Sequence, residues 1–150
     1  MSAENGHELE DFCNRWRKDV FAFCRVFLGH GAAAEEVTCE AFAAFYRERE
    51  LRMSDPEIPP RLLALALRAT EKYRHGSSQP LQTASRLESA IQRLPRLERA
   101  VVIMRNLLHM DWVPLAQVAD LSQAQAHEAW MRGIFQLNDL LQRGFIKERR

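Results

Sequence analysis

The side chains best suited to specific recognition lie near the C-terminus, in WVPLAQVADLSQAQAHEAWMRGIFQL (Trp112 to Leu137). A short helical repeat, a break at Asp120-Leu121-Ser122 and a longer helical repeat outline a helix-turn-helix. Ser122 is placed to cap the second helix, its hydroxyl accepting a free backbone N–H of the first turn. Gln123 and Gln125 can read base edges there, Glu128 can accept from a cytosine amino group, and Arg132 and His127 can hold the DNA backbone. A second group, Arg61, Arg68, Lys72, Arg74 and His75, forms a basic strip able to follow a phosphate backbone, with Tyr73 available for stacking on an exposed base. For both groups the alternative is an amphipathic helix whose polar face is merely solvated.

Catalytic patterns are missing. There is no Gly-rich phosphate loop, no HExxH and no nucleophile elbow. His7, His30, His75, His109 and His127 are scattered without ligand spacing, and Glu35 and Glu36 point about 100° apart on a helix. Cys13, Cys24 and Cys39 are an odd number and carry no CxxC spacing. Cys13 and Cys24 on one helix stand roughly 16 Å apart, beyond disulfide reach. The expectation is a protein that is not an enzyme and has no cofactor and no metal.

The elements that must position these side chains are helical throughout. Leu9, Phe12, Cys13, Trp16, Val20, Phe23, Cys24, Phe27 and Leu28 recur at i, i+3, i+4, i+7 and predict one long helix, stopped at Gly29 and Gly31. AAAEEVTCEAFAAFYRERE predicts a second, with Val37, Ala41 and Phe45 inward. After Pro56, Pro59 and Pro60, RLLALALRATEKYR predicts a third that buries Leu62, Leu65, Ala66, Ala69 and Tyr73. GSSQP (Gly76 to Pro80) is the flexible stretch and divides the chain into halves of about 75 residues. Beyond it come a short helix ending near Leu94, a helix opened by Pro95 with Leu97, Val101, Met104 and Leu108 inward, and then the helix-turn-helix. In its last helix Ala126, Trp130, Ile134, Leu137 and Leu141 line up. No segment alternates with the period of a half-buried strand. The fold class read here is all-α: two small helical bundles (residues 1–76 and 85–150) joined by a short linker (77–84), the second containing the helix-turn-helix.

The chain has 150 residues, 47% of them hydrophobic, and a formal net charge of +1. That balance argues against a disordered chain and against a strongly basic nucleic-acid coat. The near-neutrality is an average over unlike parts: residues 1–50 carry 6 basic and 10 acidic groups (−4), 51–76 carry 5 and 3 (+2), and 77–150 carry 10 and 7 (+3). No apolar run approaches a membrane span and the start MSAENGHELED does not read as a signal peptide, so a cytoplasmic protein without membrane association is expected.

LPRLERAVVIMRNLLHMDWVPLAQVADLSQAQAHEAWMRGIFQL resembles the C-terminal domain of bacterial sigma factors of the extracytoplasmic-function (ECF) group. Leu94, Pro95, Arg99, Leu115, Ala116, Arg132 and Leu137 match its pattern in order. AEEVTCEAF (Ala34 to Phe42) resembles the first conserved domain of the same group, and RLLALALRATEKYR stands where the promoter-melting helix falls. The resemblance covers about 110 residues. It implies that the first half binds core RNA polymerase, with Glu35, Glu36, Cys39, Glu40, Phe42 and Tyr46 on the contact surface. It also implies that Arg61, Arg68, Lys72, Tyr73 and Arg74 meet the melted promoter, and that the second half reads the upstream promoter box.

This chain departs from the family in several places. Glu36 stands for its Asp and Cys39 for its Gln; the third helix lacks the Trp-Leu start and the Asn near Arg68. On the recognition helix the usual Thr-Val-Lys-Ser-Arg is Gln125, Ala126, His127, Glu128 and Ala129. Two cations are lost and one acid gained, which removes counterion-release affinity. Two functions follow as expectations. One is an ECF-like sigma factor that binds core RNA polymerase and, with weakened basic contacts, promoter DNA. The other is a sigma-like regulator that binds polymerase or an anti-sigma factor without reading promoters. A dimeric helix-turn-helix repressor ranks below both, because the first half has no obvious dimerisation seam.

Overall fold

The computed structural model describes residues 2–48, 58–73 and 85–148, and among them apolar residues at helical spacing, punctuated by glycine and proline, form seven α-helices. They are α1 (Ser2–Leu28), α2 (Gly31–Glu48), α3 (Ile58–Ala69), α4 (Arg86–Gln92), α5 (Arg96–Val102), α6 (Trp112–Ala119) and α7 (Gln123–Glu148). Every regular element among the described residues is helical, as the missing period-2 alternation predicts. None of these helices is long and apolar enough to cross a membrane. The expected linker 77–84 lies outside the described residues.

In the first half, α1 buries Val20, Phe23, Cys24 and Phe27. It ends where Gly29 adopts φ +86°, a left-handed conformation that glycine enters without a Cβ clash. The turn is tight: a Cβ on Gly29 would stand 2.9 Å from the Gln92 side chain. Helix α2 returns against α1, burying Ala34, Val37, Thr38, Ala41, Phe42 and Phe45. Buried Thr38 satisfies its hydroxyl on the Ala34 carbonyl at 2.7 Å. Pro59 and Pro60 occupy the first turn of α3, where a missing N–H costs nothing. The predicted third helix runs on to Arg74, but α3 closes at Ala69 and tightens into a 3₁₀ turn, Thr70–Tyr73. There the Leu67 carbonyl accepts from the Thr70 hydroxyl at 2.5 Å and from Arg96 at 2.6 Å.

The second half repeats the logic with smaller residues. Ser85 caps α4 through the Glu88 N–H, and Pro95 sits at the N-cap of α5. Helix α5 passes into a π turn, Ile103–Leu107, in which Leu108 N–H bonds back to the Ile103 carbonyl at 3.1 Å. Helix α7 buries Ala126, Ala129, Gly133 and Leu137, the narrow stripe that lets it lie on α5. A Cβ on Gly133 would come within 2.6 Å of Val102 Cγ2.

The halves pack on each other. Helix α1 meets α4 and the π turn, α3 meets α6, and the buried residues of both halves form one continuous core. Two arginines of α5 lock this seam. Arg99 donates to the Phe27 carbonyl at 3.1 Å and to the Leu94 carbonyl at 3.0 Å, and stacks over the Phe27 ring. Burial, with Arg96 nearby, lowers its pKa. Arg96 donates to the Leu67 carbonyl and to Thr70 Oγ1 and covers the same Phe27 ring. Arg25 pairs with Glu88 at 2.7 Å across the seam.

Candidate nucleic-acid interface

The helix-turn-helix forms from α6, a three-residue turn and α7. Asp120 takes φ +56°, ψ +48°, a conformation that Asp tolerates better than most residues. Leu121 N–H then reaches the Ala116 carbonyl at 2.9 Å and Asp120 N–H the Gln117 carbonyl at 3.3 Å, the paired bonds of a Schellman ending. Ser122 caps α7 as predicted, accepting from Gln125 N–H at 3.1 Å. Gln125 Oε1 accepts in return from Ser122 N–H at 3.0 Å, closing a capping box. The Gln125 amide, expected to read bases, therefore spends its oxygen on the backbone. The Ser-x-x-Gln spacing was the signal for this.

The remaining residues of the predicted reading face have different surroundings. Gln123 and Glu128 are exposed on α7. Ala126 and Ala129 are buried, so the second of the two lost cationic positions lies in the core. His127 lies against two indoles, 5.1 Å from the Trp112 ring and 5.8 Å from Trp130. Arg132 Nε is bonded to Glu98 Oε1 at 3.1 Å, and that carboxylate side chain is only 12% exposed. The pairing links positions 34 residues apart, and no local spacing signals it.

The same thing happens on α3 and the 3₁₀ turn. Arg61 is ion-paired with Glu48, and Lys72 with Glu40. The Tyr73 hydroxyl donates to Glu36. The hydrogen bond to Glu40 raises the pKa of Lys72, and the bond to Glu36 raises that of Tyr73. The strip expected to follow DNA and the acidic face expected to meet polymerase are thus one seam of alternating charge between α2 and α3. Arg68 is exposed and makes no ion pair among the described residues. Arg74 lies outside them.

On α2, Glu35 and Cys39 are exposed, while Glu40 and Tyr46 are half-buried. Phe42 was expected on the contact surface but is 8% exposed and belongs to the core cluster, because its position shares the inward face with Phe45 and Ala41. The first half therefore presents Glu35, Glu36, Cys39 and Glu40 without an aromatic at position 42.

The helix order and packing define a sigma-factor-like fold. A solved sigma factor, RpoE of Bartonella quintana in complex with the anti-sigma factor NepR, superposes with a TM-score of 0.66 over 90% of this chain and 97% of that one, at 13% sequence identity. No protein-family model and no curated protein matches the chain.

Proposed function

We propose that this chain is a non-enzymatic, sigma-like regulator of transcription initiation that acts through protein contacts, to core RNA polymerase or to an anti-sigma factor, rather than by reading promoter DNA in its packed form. One observation carries the reading. Arg61, Lys72 and Arg132, three of the cations expected to meet phosphate, are each bonded to an acid of the same chain. Counterion release is what those cations would contribute to DNA affinity, and a carboxylate beside each both screens it and repels phosphate.

The solved sigma factor that shares the fold was captured with an anti-sigma partner, which supports a protein ligand of that class here. The exposed acidic residues Glu35 and Glu36, with Cys39, form the polymerase-facing surface in this reading. A second reading, a promoter-directing sigma factor, is favoured by the likeness running through both halves. It requires residues 1–76 and 85–150 to separate on DNA. Purified core polymerase, an anti-sigma protein and a salt-titrated duplex-binding assay test the two readings. The first expects retention by one of the proteins and a shallow, sequence-independent salt dependence. Retention by neither protein overturns it; steep, sequence-selective DNA binding establishes the second.

A further inference from the structure

Beside the helix-turn-helix, on the side of the π turn, lies an open cleft of about 370 Å³ lined by Arg105, Asn106, His109 and Trp130. Its walls are an indole, a guanidinium, an imidazole and a carboxamide, with no acid among them. We propose that this cleft binds a nucleotide, the base stacking on Trp130 and the phosphate held by Arg105 and His109. The inference does not depend on the sigma-like reading, since it concerns a surface that reading leaves unused.

The indole is held ready for stacking. Trp130 Nε1 donates to Asn106 Oδ1 at 2.8 Å, which fixes the ring plane and turns the Asn106 NH₂ away as a free donor. Trp112 and His127 buttress the ring at 5.7 and 5.8 Å, Trp112 edge-on. A preset aromatic of this kind accepts any base, because every base has a π face. The phosphate end is equally prepared. The Arg105 guanidinium lies 4.6 Å from the Trp112 ring centroid and donates one nitrogen to the Met110 carbonyl at 2.8 Å. Its other nitrogens form no ion pair among the described residues, in contrast to Arg61, Lys72 and Arg132. A stacked, anchored guanidinium binds a phosphate with little ordering cost.

His109 supplies the second observation. It is exposed and has φ +53°, a left-handed conformation uncommon for any residue with a Cβ, which His, like Asp, enters more readily than most. It lies at the close of the π turn, between Leu108, whose N–H bonds to the Ile103 carbonyl, and Met110, whose N–H bonds to the Met104 carbonyl at 3.0 Å. Single π turns recur at functional sites because the wider ring redirects side chains. Here it delivers Arg105, Asn106 and His109 to one opening, whose volume falls in the range of small-ligand pockets.

The test uses the full chain, with calorimetry and tryptophan fluorescence as readouts and four probes: adenosine 5′-monophosphate, adenosine, inorganic phosphate and a single-stranded dA decamer. The expected result is saturable quenching by the monophosphate, with adenosine and phosphate at least tenfold weaker. His109→Gly and Arg105→Gln should each weaken monophosphate binding at least fivefold. His109→Gly should not lower the thermal midpoint, since glycine accepts that φ. Binding of the decamer more tightly than the monophosphate assigns the ligand to single-stranded nucleic acid; binding of the monophosphate alone assigns it to a free nucleotide. The proposal is overturned if neither probe saturates at millimolar concentration. Adenosine binding as well as its monophosphate, or both variants binding as the parent does, overturns it equally.

Discussion

Replacing Glu40, Glu48 and Glu98 together by glutamine releases Lys72, Arg61 and Arg132 from their partners while keeping side-chain size. The Lys72 and Arg61 pairs are well exposed and pairs of that kind add little to stability, and a glutamine at position 98 keeps an oxygen that can accept from Arg132, so the variant should stay folded. Its effect on DNA binding should be much larger. Each cation delivered to a phosphate steepens the slope of log affinity against log salt by roughly 0.9, so three freed cations steepen it by roughly 2.7. Between about 50 and 200 mM salt that difference becomes a roughly 40-fold greater loss of affinity in the variant than in the parent. Fluorescence anisotropy with a labelled duplex at several salt concentrations measures both slopes. A slope change smaller than about one unit, in a variant whose helical signal and melting are unchanged, would refute the reasoning. It would mean that internal acids are not what keeps these cations from DNA.

Three further outcomes follow from the packing. Gly133→Ala should destabilise by about 1–2 kcal/mol, since overpacking against the stiff, buried Val102 outweighs the roughly 1 kcal/mol gain in helix propensity. The melting temperature should fall by several degrees, at about 2–4 °C per kcal/mol, and an unchanged or higher value contradicts the close crossing. Arg99→Met should cost about 2 kcal/mol or more in urea unfolding by orphaning the Phe27 and Leu94 carbonyls. Arg99→Lys should not restore it, because one ammonium lacks the fork that serves two elements. Burial raises the Cys24 thiol from 9.0 to about 12. The folded state thus holds a proton that the unfolded state releases, and stability should decline as pH rises from about 9 to about 12, by about 1.4 kcal/mol per unit. Cys24→Ala should lack that component, and parallel pH curves for parent and variant would exclude it.

The helices were legible because their burial is periodic: Val20, Phe23, Cys24 and Phe27 could be assigned to one face from spacing alone, and they are buried. The turn of the helix-turn-helix was legible through Ser122, whose cap is local chemistry. Boundaries set by tertiary contacts were not. The end of α3 coincides with a guanidinium arriving from Arg96, 29 positions away from Leu67. The π turn has no signature in the spacing of Leu97, Val101 and Met104, which continue the α-helical stripe through it. The candidate reading residues were recognised by type, but type does not reveal a partner. Tyr73 and Glu36 are separated by 37 positions and Arg132 and Glu98 by 34, so only the fold shows that they are engaged with each other. Phe42 shows the opposite limit. An aromatic beside glutamates reads as a contact residue until the phase of the helix, fixed by Ala41 and Phe45, turns it inward.

The grip of Arg96 and Arg99 on the ends of α1 and α3 makes the union of the halves a property of their surfaces. A peptide chain joining them raises their local concentration but supplies none of these bonds. Residues 1–76 and 85–150 produced as separate polypeptides should therefore find each other and co-elute, and Arg99→Met should part them. The seam would then behave as a receptor and its ligand encoded in one reading frame, open to competition from any helix pair that offers the same two carbonyl ends.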